Sequence, residues 1–150
     1  MGRTTYADAV VDTEALAPAG GNEVWVGDIG DNAERRDSVR VYRVPVGRGD
    51  RRVDAPSYEL VYPDGAHDAE SLVFARGRLY VITKGLLGGT VYAAPRQLAS
   101  QGPNRLRPVA GVDVWATDAA LFPDGRHVLV RGYDNAVIYT FPDFRPVASV

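Results

Sequence analysis

Carboxylates and two histidines are the side chains of this sequence best suited to chemistry. Cysteine is absent, which excludes thiol nucleophiles, disulfides and zinc–thiolate sites. No G-x-S-x-G pattern occurs, so a serine hydrolase triad has no support in the sequence. The chemistry left open is that of carboxylate oxygens, which hold hard cations, and of imidazole, which acts as a general base.

The acidic residues fall into short motifs. Two Asp-x-Glu triplets occur, Asp12-Thr13-Glu14 and Asp68-Ala69-Glu70, and Gly30 lies within an Asp- and Asn-rich loop. The candidate metal ligands are Asp12, Glu14, Asp28, Asp31, Asn32, Asp68, Glu70 and Asp118. Carboxylates held close together raise one another's pKa unless a cation neutralises them, which favours a calcium site. The alternative is that these side chains accept hydrogen bonds from neighbouring backbone N–H groups. The loop lacks the spacing and the distal Glu of an EF-hand.

His67 adjoins Asp68 and is the candidate general base or metal ligand. The alternative is an ordinary surface histidine. His127 begins a strand near the opposite end of its sheet, so we expect the two imidazoles not to meet. Lys84 either pairs with one of the carboxylates or is solvated.

The elements that position these residues are strands. Short apolar runs rich in Val, Tyr and Leu are bounded by Gly, Pro, Asp and Asn, as strands are. They group into three similar units of about 50 residues, a period typical of propeller blades. The predicted strands are Ala9–Leu16, Glu23–Asp28, Ser38–Val44 and Tyr58–Tyr62, then Asp68–Phe74, Arg78–Lys84, Thr90–Ala94 and Arg105–Val112, then Val114–Phe122, His127–Arg131, Ala136–Phe141 and Arg145–Ser149.

The sequence therefore predicts an all-β protein, a single β-propeller segment over residues 1–150 with blades at about 9–62, 68–112 and 114–149. A small antiparallel sandwich is the alternative. A Tyr inside each third strand and a Pro after it favour repeated blades, and Gly77 and Gly125 mark the first turns. Three blades do not close a ring, so we expect half of a six-bladed ring, completed by a second copy or by a longer chain.

Strand direction alternates in a meander, which sorts the loops onto two faces. The acidic motifs fall on one face, where Glu14, Glu70 and Asp118 take equivalent positions beside the central channel. The other face carries arginine, namely Arg48, Arg51, Arg52 and Arg96.

The overall composition limits the classes of partner that we expect. The chain has 150 residues and a net charge of −2, which gives no electrostatic reason to expect nucleic acid as a partner. No apolar run approaches the roughly 20 residues that span a bilayer, so membrane insertion is not expected. The first residues lack the apolar stretch of a signal peptide. A cytosolic protein and an exported one whose signal has been removed both fit, and the compartment stays open.

Several segments resemble a known group. Trp25–Asn32, Val41–Pro45 and Tyr62–Leu72 resemble uncharacterised actinobacterial β-propeller proteins, many of which are exported. The Asp-x-Glu triplets also resemble six-bladed propellers of the phytase-like esterase, strictosidine-synthase-like and lactonase-like hydrolase group, in which such positions hold Ca²⁺. That likeness implies a calcium-dependent hydrolase of ester, lactone or phosphoester substrates. The third unit departs from it, with Thr117-Asp118-Ala119 in place of Asp-x-Glu.

Three functions follow as hypotheses. The first is a non-catalytic module that binds a small ligand, a cation or a partner at its acidic mouth. The second is the calcium-dependent hydrolase, with His67 as its base. The third is a scaffold that makes protein contacts through the arginine-bearing face or an open sheet edge.

Overall fold

The fold is built from strands and loops. The computed structural model describes residues 2–6 and 9–150, and within these residues no α-helix forms. The all-β prediction is therefore confirmed. No helix in the described part of the chain could cross a membrane.

Three sheets and one short parallel pair make up the described chain. The pair joins β1 (Thr4–Thr5) to β5 (Arg51–Arg52). Sheet 1 contains β2 (Thr13–Gly20), β3 (Glu23–Asp28), β4 (Val39–Pro45), β6 (Ser57–Val61) and β10 (Asn104–Arg105). Sheet 2 contains β7 (Ala69–Ala75), β8 (Arg78–Thr83), β9 (Gly89–Ala93) and β11 (Arg107–Val112). Sheet 3 contains β12 (Asp118–Leu121), β13 (His127–Arg131), β14 (Ala136–Thr140) and β15 (Pro146–Ser149).

Each sheet is an antiparallel meander of four strands, to which sheet 1 adds β10 in parallel. The predicted bounds of β3 and β13 are confirmed. Those of β2 are wrong: the strand begins at Thr13 rather than Ala9, and it continues to Gly20. Gly20 and Gly21 supply the turn to β3, with φ angles of 91° and 58° that suit glycine.

The predicted strand Arg105–Val112 is divided in two. Asn104 and Arg105 pair with β6 of sheet 1, whereas β11 pairs with β9 of sheet 2. The cause is the buried side chain of Asn104, whose Nδ2 donates to the carbonyl oxygens of Glu59 and Ala99, each at 3.0 Å. The predicted strand Val114–Phe122 is also too long, since only Asp118–Leu121 joins the ladder.

The first turns of sheets 2 and 3 follow the prediction. Gly77 and Gly125 have φ angles of 70° and 63°, the left-handed conformation that glycine adopts at little cost. Each turn is therefore a tight connection between the first and second strands of its sheet.

The first strands of the three sheets lie side by side, with β7 in contact with both β2 and β12. One apolar core fills the space between sheets 1 and 2, and Trp25, Leu60 and Leu72 belong to it. A second core between sheets 2 and 3 includes Ile82 and Tyr139. The sheets thus stack in chain order, and the starts of their first strands gather at one end.

The two outer faces of the stack differ. On sheet 1, Val26, Tyr42 and Val44 are covered by Tyr6 and Val53, from the segments around β1 and β5. On sheet 3, an apolar row crosses all four strands outside the three cores. Its members are Ala120, Leu129, Ile138 and Ala148.

Candidate functional site

The acidic residues gather where β3 and β8 end and where β2 and β7 begin. Antiparallel pairing places these termini together, since Thr13 pairs with Asp28 and Ala69 with Thr83. The carboxylates at this end divide into those that the protein itself satisfies and those that face a groove.

Asp28 belongs to the first class. Its side chain is 2% exposed and lies 3.1 Å from Nη1 of Arg36. Oδ1 also accepts the backbone N–H of Asp12 at 2.7 Å, and both oxygens accept that of Val11 at 3.2 Å. These bonds use the carboxylate to fix the chain that enters β2, as the hydrogen-bonding alternative expected.

Asp31 and Asp68 join the first two sheets. The backbone N–H of Asp31 donates to Oδ1 of Asp68 at 2.7 Å, and both residues are buried. Oδ2 of Asp31 accepts the N–H groups of Arg35 and Arg36 at 2.8 and 2.7 Å. Asn32 is exposed and has no hydrogen-bond partner among residues 2–6 and 9–150.

Lys84 supplies an internal cation. Its Nζ contacts Oε1 of Glu70, lies 3.9 Å from Oδ2 of Asp68, and is 5.6 Å from the ring centroid of Tyr133. The hydrogen bond to Glu70 raises the pKa of Lys84 further above its usual range, so the ammonium stays charged. Glu70 and Asp68 therefore share one ammonium group, which balances one of their two negative charges.

Glu14 belongs to the second class, and Asp12 lies beside it. Both pack against Gly30, where a Cβ would overlap the Asp12 carboxylate and lie 2.8 Å from Cγ of Glu14. Partial burial, with a hydrogen bond and repulsion from Asp12, raises the pKa of Glu14. In the described chain no Lys or Arg lies within ion-pair distance of either carboxylate.

A groove of about 580 Å³ opens beside Glu14. Strand β2 forms one wall, and Thr117, Asp118 and Arg131 form the other. Oδ1 of Asp118 accepts the backbone N–H of Ala119 at 2.8 Å, and Arg131 donates to Thr117 Oγ1 at 3.3 Å. The groove is thus bordered by carboxylates from sheets 1 and 3.

Glu14, Glu70 and Asp118 share one position in their sheets. Each directly precedes a small buried residue that pairs with the penultimate residue of the second strand. The three pairs are Ala15–Gly27, Ser71–Ile82 and Ala119–Val130. At Glu14 and Glu70 the register shifts by a β-bulge, and the ladder at Asp118 is regular.

A polydentate metal site is not formed by this arrangement as it stands. Within the described residues, no group of three or more His, Cys, Asp or Glu side chains converges as metal ligands do. Calcium takes six to eight oxygen ligands, so carboxylates now bound to Arg36, Lys84 or backbone N–H groups would have to be released first.

His67 lies in a network of its own. Its Nε2 is 3.1 Å from Oδ1 of Asp64 and 3.1 Å from the hydroxyl of Tyr92, which donates to Oδ2 of Asp64 at 2.7 Å. The hydrogen-bond network assigns the proton to Nε2 and leaves Nδ1 as the acceptor. Burial opposes ionisation of Asp64, but the bonds from Tyr92 and His67 outweigh it and lower the pKa of Asp64.

Tyr62 packs against this network. Its ring meets those of His67 and Tyr92 edge to face, with centroids 5.0 and 4.9 Å apart. Its buried hydroxyl has no hydrogen-bond partner in the described structure, and burial raises the pKa of Tyr62 above its usual range. His127 instead bonds Asp124 at 2.6 Å in the turn between β12 and β13.

Sequence reasoning missed the partners of these residues. Arg36 belonged to no motif, Tyr62 was named only as the end of a predicted strand and the first residue of the segment Tyr62–Leu72, and Tyr92 was noticed only as a repeated tyrosine. The spacing of Asp64 and His67, three residues apart, was the available signal for their contact. The pairing of Lys84 with a carboxylate, one of two alternatives, is confirmed.

Comparison with known proteins adds no relative: no family model matches the chain, and no curated protein matches it in sequence.

Proposed function

We propose that the three sheets are consecutive blades of a β-propeller and that the chain is a binding module for a cationic ligand. The fold part of the proposal is supported by the four-stranded meanders and by the contacts of β7 with β2 and β12. First strands that adjoin one another are typical of blades around a common channel. The acidic groove would then be one mouth of that channel.

The observation that carries the proposed activity is the pair Asp12 and Glu14. These carboxylates lie together over Gly30 with no Lys or Arg of the described chain within ion-pair distance, whereas Glu70 and Asp68 share the ammonium group of Lys84. Partial burial is the largest cause of the raised pKa of Glu14, and the nearby negative charges of Asp12, Glu70 and Asp68 add to it. A positively charged ligand in the groove would supply the missing charge.

An organic ammonium group fits this site better than a metal ion. Lys84 is an example within the fold of an ammonium group held by two such carboxylates. Two or three carboxylates, one of them across the groove, suit an ammonium group with its three donors. Calcium, which needs more oxygen ligands, is the competing cation.

The test is an NMR titration of the whole chain with 1,4-diaminobutane and, separately, with CaCl₂. We expect saturable amide shifts at residues 12–14 with the diamine, weakened by added salt because the groove is open to water. Glu14→Gln should reduce the affinity, and Asp143→Asn, an exposed change elsewhere, should not. Amide shifts with Ca²⁺ but not with the diamine would mean that the ligand is a metal ion rather than an organic ammonium group. No shift with either cation would refute the proposed activity.

A second candidate is a hydrolase in which His67 acts as the base. The contacts of Asp64 and Tyr92 with Nε2 of His67 favour this candidate, because they leave Nδ1 to accept a proton. Calcium, if bound by Asp12, Glu14, Asp28, Asp68 and Glu70, would polarise the substrate. Assays of p-nitrophenyl esters, lactones and phytate, with and without Ca²⁺, test this candidate. Turnover that persists in His67→Gln would refute it.

The propeller proposal also requires further blades, which a second copy or a longer chain would supply. The apolar row Ala120, Leu129, Ile138 and Ala148 is the surface of sheet 3 that a next blade would cover. Light scattering tests whether a second copy supplies the further blades. A dimer of twice 16.2 kDa that Leu129→Glu dissociates would support ring completion by a second copy. A monomer unaffected by Leu129→Glu would contradict it.

A further inference from the structure

A cleft of about 210 Å³ lies between sheets 1 and 2, away from the acidic groove. Arg78, at the start of β8, and Phe74, near the end of β7, line it, whereas the acidic residues lie at the opposite ends of these strands. It is therefore a separate site, independent of the proposed cation binding.

The walls of the cleft are aromatic and aliphatic. The ring of Trp25 lies 5.7 Å from that of Tyr58 and 5.9 Å from that of Phe74, and Leu79 and Leu98 complete the apolar surface. The volume exceeds that of a cavity of roughly 150 Å³ that holds a benzene ring, and it falls below the roughly 300 Å³ at which sites for drug-sized ligands begin. A ligand with one ring fits this space.

The charges around the cleft are all positive. Arg43, Arg78 and Arg96 line it, and no Asp or Glu is among the described residues that do. Arg43 pairs with Glu23 at 2.6 Å. Arg96 donates to the carbonyl oxygen of Arg76 at 2.9 Å. Arg78 and Arg96 therefore differ from Arg43, because no carboxylate of the described chain lies within ion-pair distance of either.

Two residues that line the cleft carry buried N–H donors with no acceptor. They are Nε1 of Trp25, a residue only 5% exposed, and Nε of Arg78. Buried donors are nearly always bonded in folded proteins, so two exceptions in one cleft require an explanation. Both nitrogens are almost fully enclosed, so an acceptor that enters the cleft reaches them only after a small movement of the Trp25 or Arg78 side chain.

We propose that this cleft binds a small carboxylate with an aromatic body. A carboxylate accepts hydrogen bonds and donates none, which matches two orphaned donors. Its negative charge suits a cleft in which Arg78 and Arg96 have no carboxylate partner in the described chain, and guanidinium–carboxylate pairing is strong and directional. Inorganic phosphate supplies no apolar body for the aromatic wall. The ring of the ligand packs against Trp25 and Phe74, and its carboxylate lies toward Arg78.

Phenylacetate is the probe, and the indole N–H signals in ¹H–¹⁵N NMR spectra are the readout. We expect a saturable downfield shift of the Trp25 indole signal, since its N–H gains an acceptor, with no shift of the Trp115 signal. Benzyl alcohol, which keeps the ring without the charge, and inorganic phosphate, which has charge without a ring, should each bind at least 10-fold more weakly.

Arg78→Gln should abolish the phenylacetate shift, whereas Arg126→Gln, an exposed arginine outside the cleft, should leave it unchanged. If Arg78→Gln does not fold, the comparison of the three probes on the natural chain still decides the matter. A Trp25 signal that does not move, or that moves equally with benzyl alcohol, overturns the proposal. Because the readout is at Trp25, its failure is distinguishable from failure of the diamine site.

Discussion

Oδ1 of Asp68 accepts the backbone N–H of Asp31 across 2.7 Å, and this bond ties the loop after β3 to the start of β7. Both residues are buried, so neither group can exchange its partner for water without local opening. Asp68, one of the predicted metal ligands, therefore links sheets 1 and 2.

Asp68→Ala should lower the free energy of unfolding by about 1–3 kcal/mol, because the N–H of Asp31 is left buried and unbonded. Urea denaturation followed by tryptophan fluorescence measures the change. Asp54→Ala, an exposed aspartate with no hydrogen bond to the part of the chain that the structure describes, is the matched control. Equal losses in the two variants would contradict the assigned role.

Asp28→Asn should destabilise the fold more than Glu23→Gln. Asp28 faces Arg36 with 2% and 15% of the two side chains exposed, whereas Glu23 and Arg43 are 35% and 44% exposed. Removing the buried charge leaves Arg36 uncompensated, at a cost of about 3 kcal/mol. Removing the exposed one costs at most about 1 kcal/mol. The same denaturation measurement ranks the two, and the reverse order would refute the argument.

Glu14→Gln should stabilise the fold at pH 7. The pKa of Glu14 is raised above its ordinary value of 4.5, so the folded chain binds this proton more tightly than the unfolded chain. Stability from this group is therefore present below pH 4.5 and is lost as the pH rises through the raised pKa. The gain from the variant should vanish in acid. Thermal melts across the pH range test this, and a gain that persists unchanged at low pH would contradict it.

Tyr92→Phe should raise the pKa of Asp64 toward its ordinary value of 3.8, because the carboxylate loses the hydrogen bond from the tyrosine hydroxyl. Carboxyl ¹³C NMR during an acid titration measures the shift. Asp124 is an internal control: its pKa is lowered by the N–H of Arg126 and by His127, which the substitution does not touch. A shift of both carboxyl groups would indicate a general change in the fold.

Gly30→Ala should weaken diamine binding without altering net charge. The added methyl group overlaps the Asp12 carboxylate and crowds Glu14, so the two side chains must separate. The comparison is Gly111→Ala, whose Cβ meets only the carbonyl oxygen of Gly89 at 3.8 Å. NMR titration gives both affinities. Unchanged binding in Gly30→Ala would mean that the ligand does not need the two carboxylates together.

The strands could be read from the sequence because apolar runs and turn residues are local signals. Glu23–Asp28 and His127–Arg131 were predicted to the residue. The parallel pairs of β1 with β5 and of β10 with β6 could not be found this way, since β1, β5 and β10 have two residues each and the paired strands are far apart along the chain. Periodicity has no meaning over so short a length.

The acidic end was predictable as a cluster but not in its chemistry. Meander topology was enough to gather Asp12, Glu14 and Glu70 at one end. It did not indicate that Arg36 would enter the cluster as a counter-ion, and it left pairing of Lys84 with a carboxylate as one of two alternatives. Strand order alone does not specify which partners a long, flexible side chain reaches. The division between carboxylates with an internal partner and those without one therefore followed only from the folded structure.

The strand β10 also sets an order of assembly. Residues 104–105 complete the edge of sheet 1, yet they are synthesised after β7, β8 and β9 of sheet 2. A chain emerging from the ribosome therefore cannot finish its first sheet until most of its second exists. Domains generally fold as units during synthesis. Here the smallest unit that can mature on the ribosome is the pair of sheets.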